Sequence, residues 1–351
     1  MKQIILLSLL FVVALLPLKS MAQHEVEALS RRLDSLEAVV NHQNERAKKW
    51  AKVLDKLPNI SGYMQLKYIG GDGNSTFSVH HVRLSLAGAI YRNLIDFKVQ
   101  VEFASPKLMD AYIRVTPWTA FNVQVGQFKV PFTIGNTDYG PLQLETIGDP
   151  LVLLKLVGMD DVCGLKTSGR DVGAALYGGF WNKDGRSIIG YNFGVFNGSG
   201  INTLDENKSK DIVARLTIRP LRDLQISGSY YWGECGKDYQ RRVRYSVGAA
   251  YEGRLFARAE YICGTTGDLK SGGWYATAGF HITPKIAPVV RYDTFCYNES
   301  DANTRQSNYV IGIAYRPWKH LRLQGDYTYQ HFTDETHSNA SLVQLMVTGL
   351  F

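Results

Sequence analysis

The sequence predicts an all-β protein, a transmembrane antiparallel β-barrel of about sixteen strands preceded by a short N-terminal α-helical coiled coil. Three observations predict it. An apolar leader with a small-residue cleavage site marks the chain for export. From Ile60 to the last residue, segments of about eight to ten residues alternate apolar and polar side chains. The connections between those segments alternate between tight and long.

In the leader, Lys2 precedes an apolar run over residues 4–16, then Pro17, and Ser20 and Ala22 occupy the two small-residue positions that a signal peptidase reads. Residues 1–22 are therefore expected to be removed before Gln23. A membrane anchor would need about 20 apolar residues, and this run is shorter and followed at once by Lys19 and a polar helix. The formal charge of +7 falls to +5 without Lys2 and Lys19. Residues 23–58 carry seven basic against six acidic side chains, so the remainder keeps +4. That is a mildly basic balance and no nucleic-acid-binding charge density, so no nucleic-acid partner is expected.

Residues 23–57 read as a coiled coil on the periplasmic side. Val26, Leu33, Val40, Ala47 and Leu54 hold the a positions, and Leu29, Leu36, Gln43, Trp50 and Leu57 the d positions, in an unbroken seven-residue register. Self-association through Val26, Leu29, Leu33, Leu36, Val40, Trp50 and Leu54 is expected. Arg32 at g and Glu37 at the next e are placed to pair between parallel helices. A single amphipathic helix lying on its own barrel would show the same stripe. Pro58 lacks a donor and pushes its predecessor out of α space, which stops the helix.

Residues 59–351 read as the barrel. Ile95, Phe97, Val99, Val101 and Phe103 alternate with Asp96, Lys98, Gln100 and Glu102. At the end, Val343, Leu345, Val347, Gly349 and Phe351 alternate with Leu342, Gln344, Met346 and Thr348. Tight connections are expected near residues 92–94, 117–120, 220–223, 252–254, 283–285 and 317–320, with a looser one at 180–186. Long ones are expected at 69–78, 128–170, 197–211, 233–242, 263–272, 296–307 and 331–339, and the shortest outer connection at 104–107. Tight inner turns facing long outer loops, with an even strand count, put both termini in the periplasm of an outer-membrane barrel. Trp118 and Trp318, each after a proline at a tight turn, fall where an interfacial aromatic girdle belongs. A barrel of this size encloses water, which argues for a channel through membrane lipid. Charges on the polar face belong inside, because Arg facing lipid at mid-membrane costs about 2 to 4 kcal/mol.

Two stretches carry a family resemblance: Val82-Arg83-Leu84 with Gly88 and Asp110-Ala111-Tyr112, then Gly126-Gln127-Phe128-Lys129-Val130-Pro131-Phe132. Their order and spacing resemble the phosphate-selective porin O and P family over the first third of the barrel, and with the later Asp211 to Arg215 and Arg291-Tyr292-Asp293 the resemblance covers roughly residues 59–351. The resemblance implies passive diffusion of small anionic or neutral solutes, with a modest phosphate-like anion preference. It also implies a homotrimer and a third loop, residues 133–169 here, that folds inward. Phe351 resembles the C-terminal signal that the barrel assembly machinery reads. Arg83 and Lys129 are the matching candidates for a basic constriction, with Asp110 as acidic neighbour. Arg114, Arg215, Arg258 and Arg291 are further inward-facing, pore-lining candidates. Inward acids accompany them, among them Glu102, Glu260, Asp293 and Asp326, so a mutually paired polar wall is the competing reading of these charges.

No G-x-S-x-G, H-E-x-x-H or Gly-rich phosphate loop occurs in a suitable context, so neither catalytic residues nor a cofactor are expected. A barrel lipid hydrolase and a structural tether spacing the barrel from the cell wall are the other classes considered. Cys163, Cys235, Cys263 and Cys296 have no C-x-x-C spacing, so no metal site is expected. Four cysteines allow three pairings, which spacing alone does not choose among.

Overall fold

Period-two alternation closes into a cylinder here because every strand finds two neighbours. A computed structural model describes residues 27–49, 57–71, 74–92, 94–205 and 207–351. The chain divides into two units, residues 1–57 and 58–351. In the first, residues 27–49 form helix α1, on which Glu27 and Arg31 pair at 3.6 Å and Glu45 and Lys48 at 3.0 Å. Leu29, Leu33, Leu36 and Val40 are 65, 59, 62 and 52 % exposed, so nothing within this unit covers the apolar stripe. Val26, Trp50, Leu54 and the leader lie outside the described residues.

The second unit is a closed barrel of sixteen antiparallel strands. They run β1 (Asn59–Gly71), β2 (Asn74–Tyr91), β3 (Ile95–Glu102), β4 (Lys107–Trp118), β5 (Phe121–Lys129), β6 (Arg170–Lys183), β7 (Arg186–Phe196) and β8 (Asp211–Leu221). Then follow β9 (Leu224–Cys235), β10 (Gln240–Glu252), β11 (Leu255–Thr266), β12 (Leu269–Phe280), β13 (Ile286–Cys296), β14 (Arg305–Trp318), β15 (Leu321–Phe332) and β16 (Ala340–Leu350). Each strand pairs with its sequence neighbour, and β16 returns to β1 with Tyr63 opposite Leu350. Phe351 completes that seam. Its amide donates to the Gly62 carbonyl at 3.0 Å and its carbonyl accepts from the Gly62 amide at 3.1 Å.

Alternation separates the faces as expected. On β16, Val343, Leu345 and Val347 are 46, 51 and 44 % exposed on the outside, while Met346 and Thr348 are buried inside. Trp118 and Trp318 project at the tight-turn end, both 69 % exposed. Among the described residues no helix is long and apolar enough to cross a membrane.

Several connections are shorter than the sequence suggested. The expected loose turn at 180–186 is a two-residue hairpin, with β6 running to Lys183 and β7 starting at Arg186. Asp184 and Gly185 both hold positive φ, at 50° and 75°, the Asp-Gly pairing that the two-residue turn favours. On the other end, the expected loops at 69–78, 233–242 and 263–272 shrink because the strands continue, to Gly71, Cys235 and Thr266 respectively. Their Thr, Tyr and Phe residues suit a ladder that needs only backbone pairing once outside the apolar band.

Because the closed barrel has no free edge strand, it should resist SDS until heated. Unboiled protein is expected to migrate apart from boiled protein on a gel. Identical migration with a helical circular-dichroism spectrum would refute the closed sheet.

Candidate functional site

The connection between β5 and β6, residues 130–169 (loop L3), contains α2 (Ile134–Thr137) and α3 (Leu151–Leu156). Its first turn forms where Thr133 caps α2 by accepting from the Asn136 amide at 3.1 Å. Asn136 in turn donates to the Gly169 carbonyl at 2.9 Å, tying the two ends of the loop together. L3 is greasy. Its Val130, Phe132, Leu151, Val152, Leu153, Leu156 and Val157 cluster with Phe196, Val213, Tyr231, Ile262, Tyr275 and Phe295, inward residues of β7, β8, β9, β11, β12 and β13. Burying such side chains contributes about 1.5–3 kcal/mol each and holds the loop against one side of the lumen.

Charged inward residues of the same strands clasp the loop. Glu260 accepts from the Ile134 and Gly135 amides at 2.7 and 3.1 Å, and from Ser246 and Tyr275 hydroxyls at 2.6 and 3.1 Å. Asp293 accepts from the Leu151 amide at 3.1 Å, and Asp326 accepts from the Ile147 amide. Arg215 pairs with Asp138, and Arg258 pairs with Glu145 while lying over the Tyr139 ring at 4.3 Å. Arg291 donates to Thr146 Oγ1 and the Gly148 carbonyl, both at 2.8 Å, and Arg322 donates to the Leu142 and Leu144 carbonyls. Three of the sequence candidates, Arg215, Arg258 and Arg291, therefore have their guanidinium donors turned onto the loop.

The opposite wall, β2 to β5 and the start of β6, carries a second group of charges. Arg83 Nε donates to Glu102 Oε2 at 2.8 Å, and Glu102 also accepts from the Val82 and Ala104 amides. Asp110 sits between Arg170 Nε at 2.7 Å and Lys98 Nζ at 2.9 Å. Lys129 Nζ donates to the Asn136 and Tyr139 carbonyls of L3 at 2.6 and 2.8 Å. Lys107 Nζ donates to Ser168 Oγ at 3.1 Å. Arg114 pairs with Asp96 at 2.9 Å nearer the tight-turn end. Counted together, Arg83, Lys98, Lys107, Arg114, Lys129 and Arg170 set six cations against the three carboxylates Asp96, Glu102 and Asp110 on β2 to β5 and the first residue of β6.

Two cavities lie between that wall and L3, one of 510 Å³ reaching Lys98 and Arg114, the other of 480 Å³ reaching His80, Lys107 and Asp149. Both are lined by Arg83, Lys129, Arg170 and the loop segment Tyr139, Gly140 and Pro141. Their shared lining therefore sets three cations on one side against an uncharged loop segment on the other. Gly126, in the Gly-Gln-Phe-Lys stretch, is needed for this wall to close. It holds φ at +130°, and a Cβ there would lie 2.2 Å from the Ala111 carbonyl oxygen.

The structure thus brings Arg83, Lys129 and Asp110 to one wall and places Arg114 below them. Sequence reasoning did not single out Arg170, Lys98, Lys107 or Tyr139. The inward parity of Lys98 on β3 was a usable signal. Arg170 follows Gly169 at the loop's end, where periodicity gives no parity to read. Among the described residues no group of three or more His, Cys, Asp or Glu could hold a metal ion.

Residues 62–144 match the family model described as phosphate-selective porin O and P. That span runs from β1 into L3 and includes Arg83, Asp110 and Lys129. Among solved structures, the anion-selective porin from Comamonas acidovorans is similar at a TM-score of 0.65 and 14 % identity, covering 84 % of this chain and 99 % of that one. The outer membrane channel DcaP of Acinetobacter baumannii gives 0.60 at 12 % identity, over 84 % and 97 % of the two chains. OmpT of Vibrio cholerae, in its trimer form, gives 0.60 at 11 %, over 84 % and 99 %. Among curated proteins none matches the chain. The fold is that of the outer-membrane porins.

Proposed function

We propose that this protein is an outer-membrane porin, a non-enzymatic channel for passive diffusion of small solutes with a modest preference for anions, phosphate-like ones included. The observation that carries the reading is the shared rim of the two cavities, where Arg83, Lys129 and Arg170 face an uncharged loop tip. In a narrow passage with low-dielectric walls, field lines concentrate, so local charges outweigh a nearly balanced wall elsewhere. The similar Comamonas porin is described as anion-selective, which supports the same assignment. Planar-bilayer recording of the purified protein under a salt gradient tests it. Stepwise conductance with a zero-current potential on the anion side is expected, and a protein that inserts without conducting would refute the channel.

In this reading the leader of residues 1–22 is removed on export, and residues 23–57 lie in the periplasm and join protomers as a parallel coiled coil. The stripe of Leu29, Leu33, Leu36 and Val40 has no cover within its own unit and calls for an apolar partner, which supports self-association. We take the assembly to be a homotrimer, as implied by the family resemblance. Replacing Leu33 and Leu36 by Asp in the full protein is expected to lower the oligomer mass in light scattering, leaving the heat-modifiable barrel intact. An unchanged mass would assign the oligomer to the barrel walls alone.

A further inference from the structure

Two of the four cysteines are brought together across the lumen wall. Cys163 lies in the last part of L3, and Cys235 is the final residue of β9, with its side chain on the inward face shared by Tyr231 and Gly233. Arg242, opposite Gly233 on β10, reaches Cys163 Sγ with Nη1 at 3.7 Å, while Cys235 Sγ faces the Gln240 carbonyl at 3.5 Å on the neighbouring rung. The two thiols come within interaction range of one another. Their surroundings are fixed. Asp161, two residues before Cys163, is held by two Arg244 hydrogen bonds of 2.6 Å, and its Oδ1 lies 2.9 Å from Cys163 Sγ. Arg242 is fixed from the other side by Asp211 and by the Tyr231 hydroxyl at 2.6 Å.

The other two cysteines are placed differently. Cys263 on β11 and Cys296 on β13 are both registered with Gly272 of β12, so a whole strand separates them. Adjacent strands lie about 4.8 Å apart, which puts these two α-carbons beyond the roughly 7 Å that a disulfide spans.

We propose that Cys163 and Cys235 form a disulfide that staples L3 to β9, a covalent mooring for the loop that narrows the lumen. It rests on the porin reading only in that the chain folds in an oxidising compartment, where such bonds form and persist. The oxidant is a disulfide of the thiol–disulfide exchange class, either a periplasmic oxidoreductase or a small-molecule disulfide. One cysteine thiolate attacks it, forming a mixed disulfide and expelling one thiolate. The second cysteine, losing its proton to solvent, then attacks the mixed disulfide. The Cys163–Cys235 bond forms, a second thiolate leaves, and the two cysteines have given two electrons to the oxidant.

The test is a thiol count on full-length protein refolded with glutathione disulfide, quenched in acid and denatured, then treated with a maleimide of known mass. Two labels are expected before reduction and four after it, with a cross-linked peptide joining Cys163 to Cys235 in the unreduced digest. The single variants C163S and C235S should each take three labels with or without reductant. Four labels on the unreduced wild type, or a cross-linked peptide joining any other pair, would overturn the proposal. A barrel that conducts normally yet shows four free thiols would overturn the staple and leave the porin reading standing.

Discussion

Replacing Arg83 and Arg170 together by Gln is expected to abolish most of the anion preference, moving the zero-current potential in a salt gradient close to zero. Both side chains line the rim shared by the two cavities. At an effective dielectric of about 20 and a distance of roughly 6 Å, one fixed charge is worth on the order of 3 kcal/mol to a passing ion before screening. Mobile ions and the carboxylates Glu102 and Asp110 reduce that to a several-fold selectivity. Removing two cations leaves Lys98, Lys107 and Lys129 against those two acids, with Asp149 of the loop close by, which is near balance. The fold should tolerate the change, since Glu102 keeps His81 Nδ1 at 2.8 Å and two backbone amides, and Asp110 keeps Lys98. Lys129 is a worse choice for this test. Its ammonium also holds two loop carbonyls, so a change there alters loop position along with charge. If the double variant conducts with the original ion preference, the selecting charges lie elsewhere.

Glu260→Ala is expected to loosen the start of L3, giving several-fold larger current noise and admitting larger sugars in liposome-swelling assays. The carboxylate satisfies two amides at the start of α2 and two hydroxyls, all buried. A buried donor left without a partner costs about 1–3 kcal/mol, so four at one place outweigh the hydrogen bonds of a four-residue helix. Glu260→Gln retains one good acceptor and should fall between. Heat modifiability is expected to stay as in the wild type, because the barrel ladder does not pass through the side chain. Wild-type noise and an unchanged sugar cut-off in the Ala variant would show that the apolar cluster alone fixes the loop.

Much of the barrel was legible because period-two alternation is local. The strand series, the terminal strand ending at Phe351 and the inward placement of Asp96, Glu102 and Asp110 all follow from parity along a single segment. Polar strand ends such as residues 263–266 resembled loops because alternation fades once both faces are wet. What parity does not reveal is which inward charge meets which loop atom. Glu260 and the Ile134 amide are 126 positions apart, and Arg291 and Thr146 are 145 apart. A usable signal was nevertheless present. On β7 to β13 the inward register holds Phe196, Val213, Tyr231, Ile262, Tyr275 and Phe295, too apolar for a wall facing only water. That register marked the side on which L3 would lie, and hence which of the arginines would serve it.

Because one arc of the inner wall is a seat for L3 and another lines the cavities, circumference and bore are separate properties of this molecule. Shortening or reshaping L3 would widen the bore without altering strand number, tilt or any outward-facing side chain. The outward-facing surface and the seam at Gly62 and Phe351 belong to the closed cylinder, and the loop belongs to its bore. A lineage carrying this cylinder can therefore alter its bore by drift in one segment, under little constraint from the sixteen strands around it.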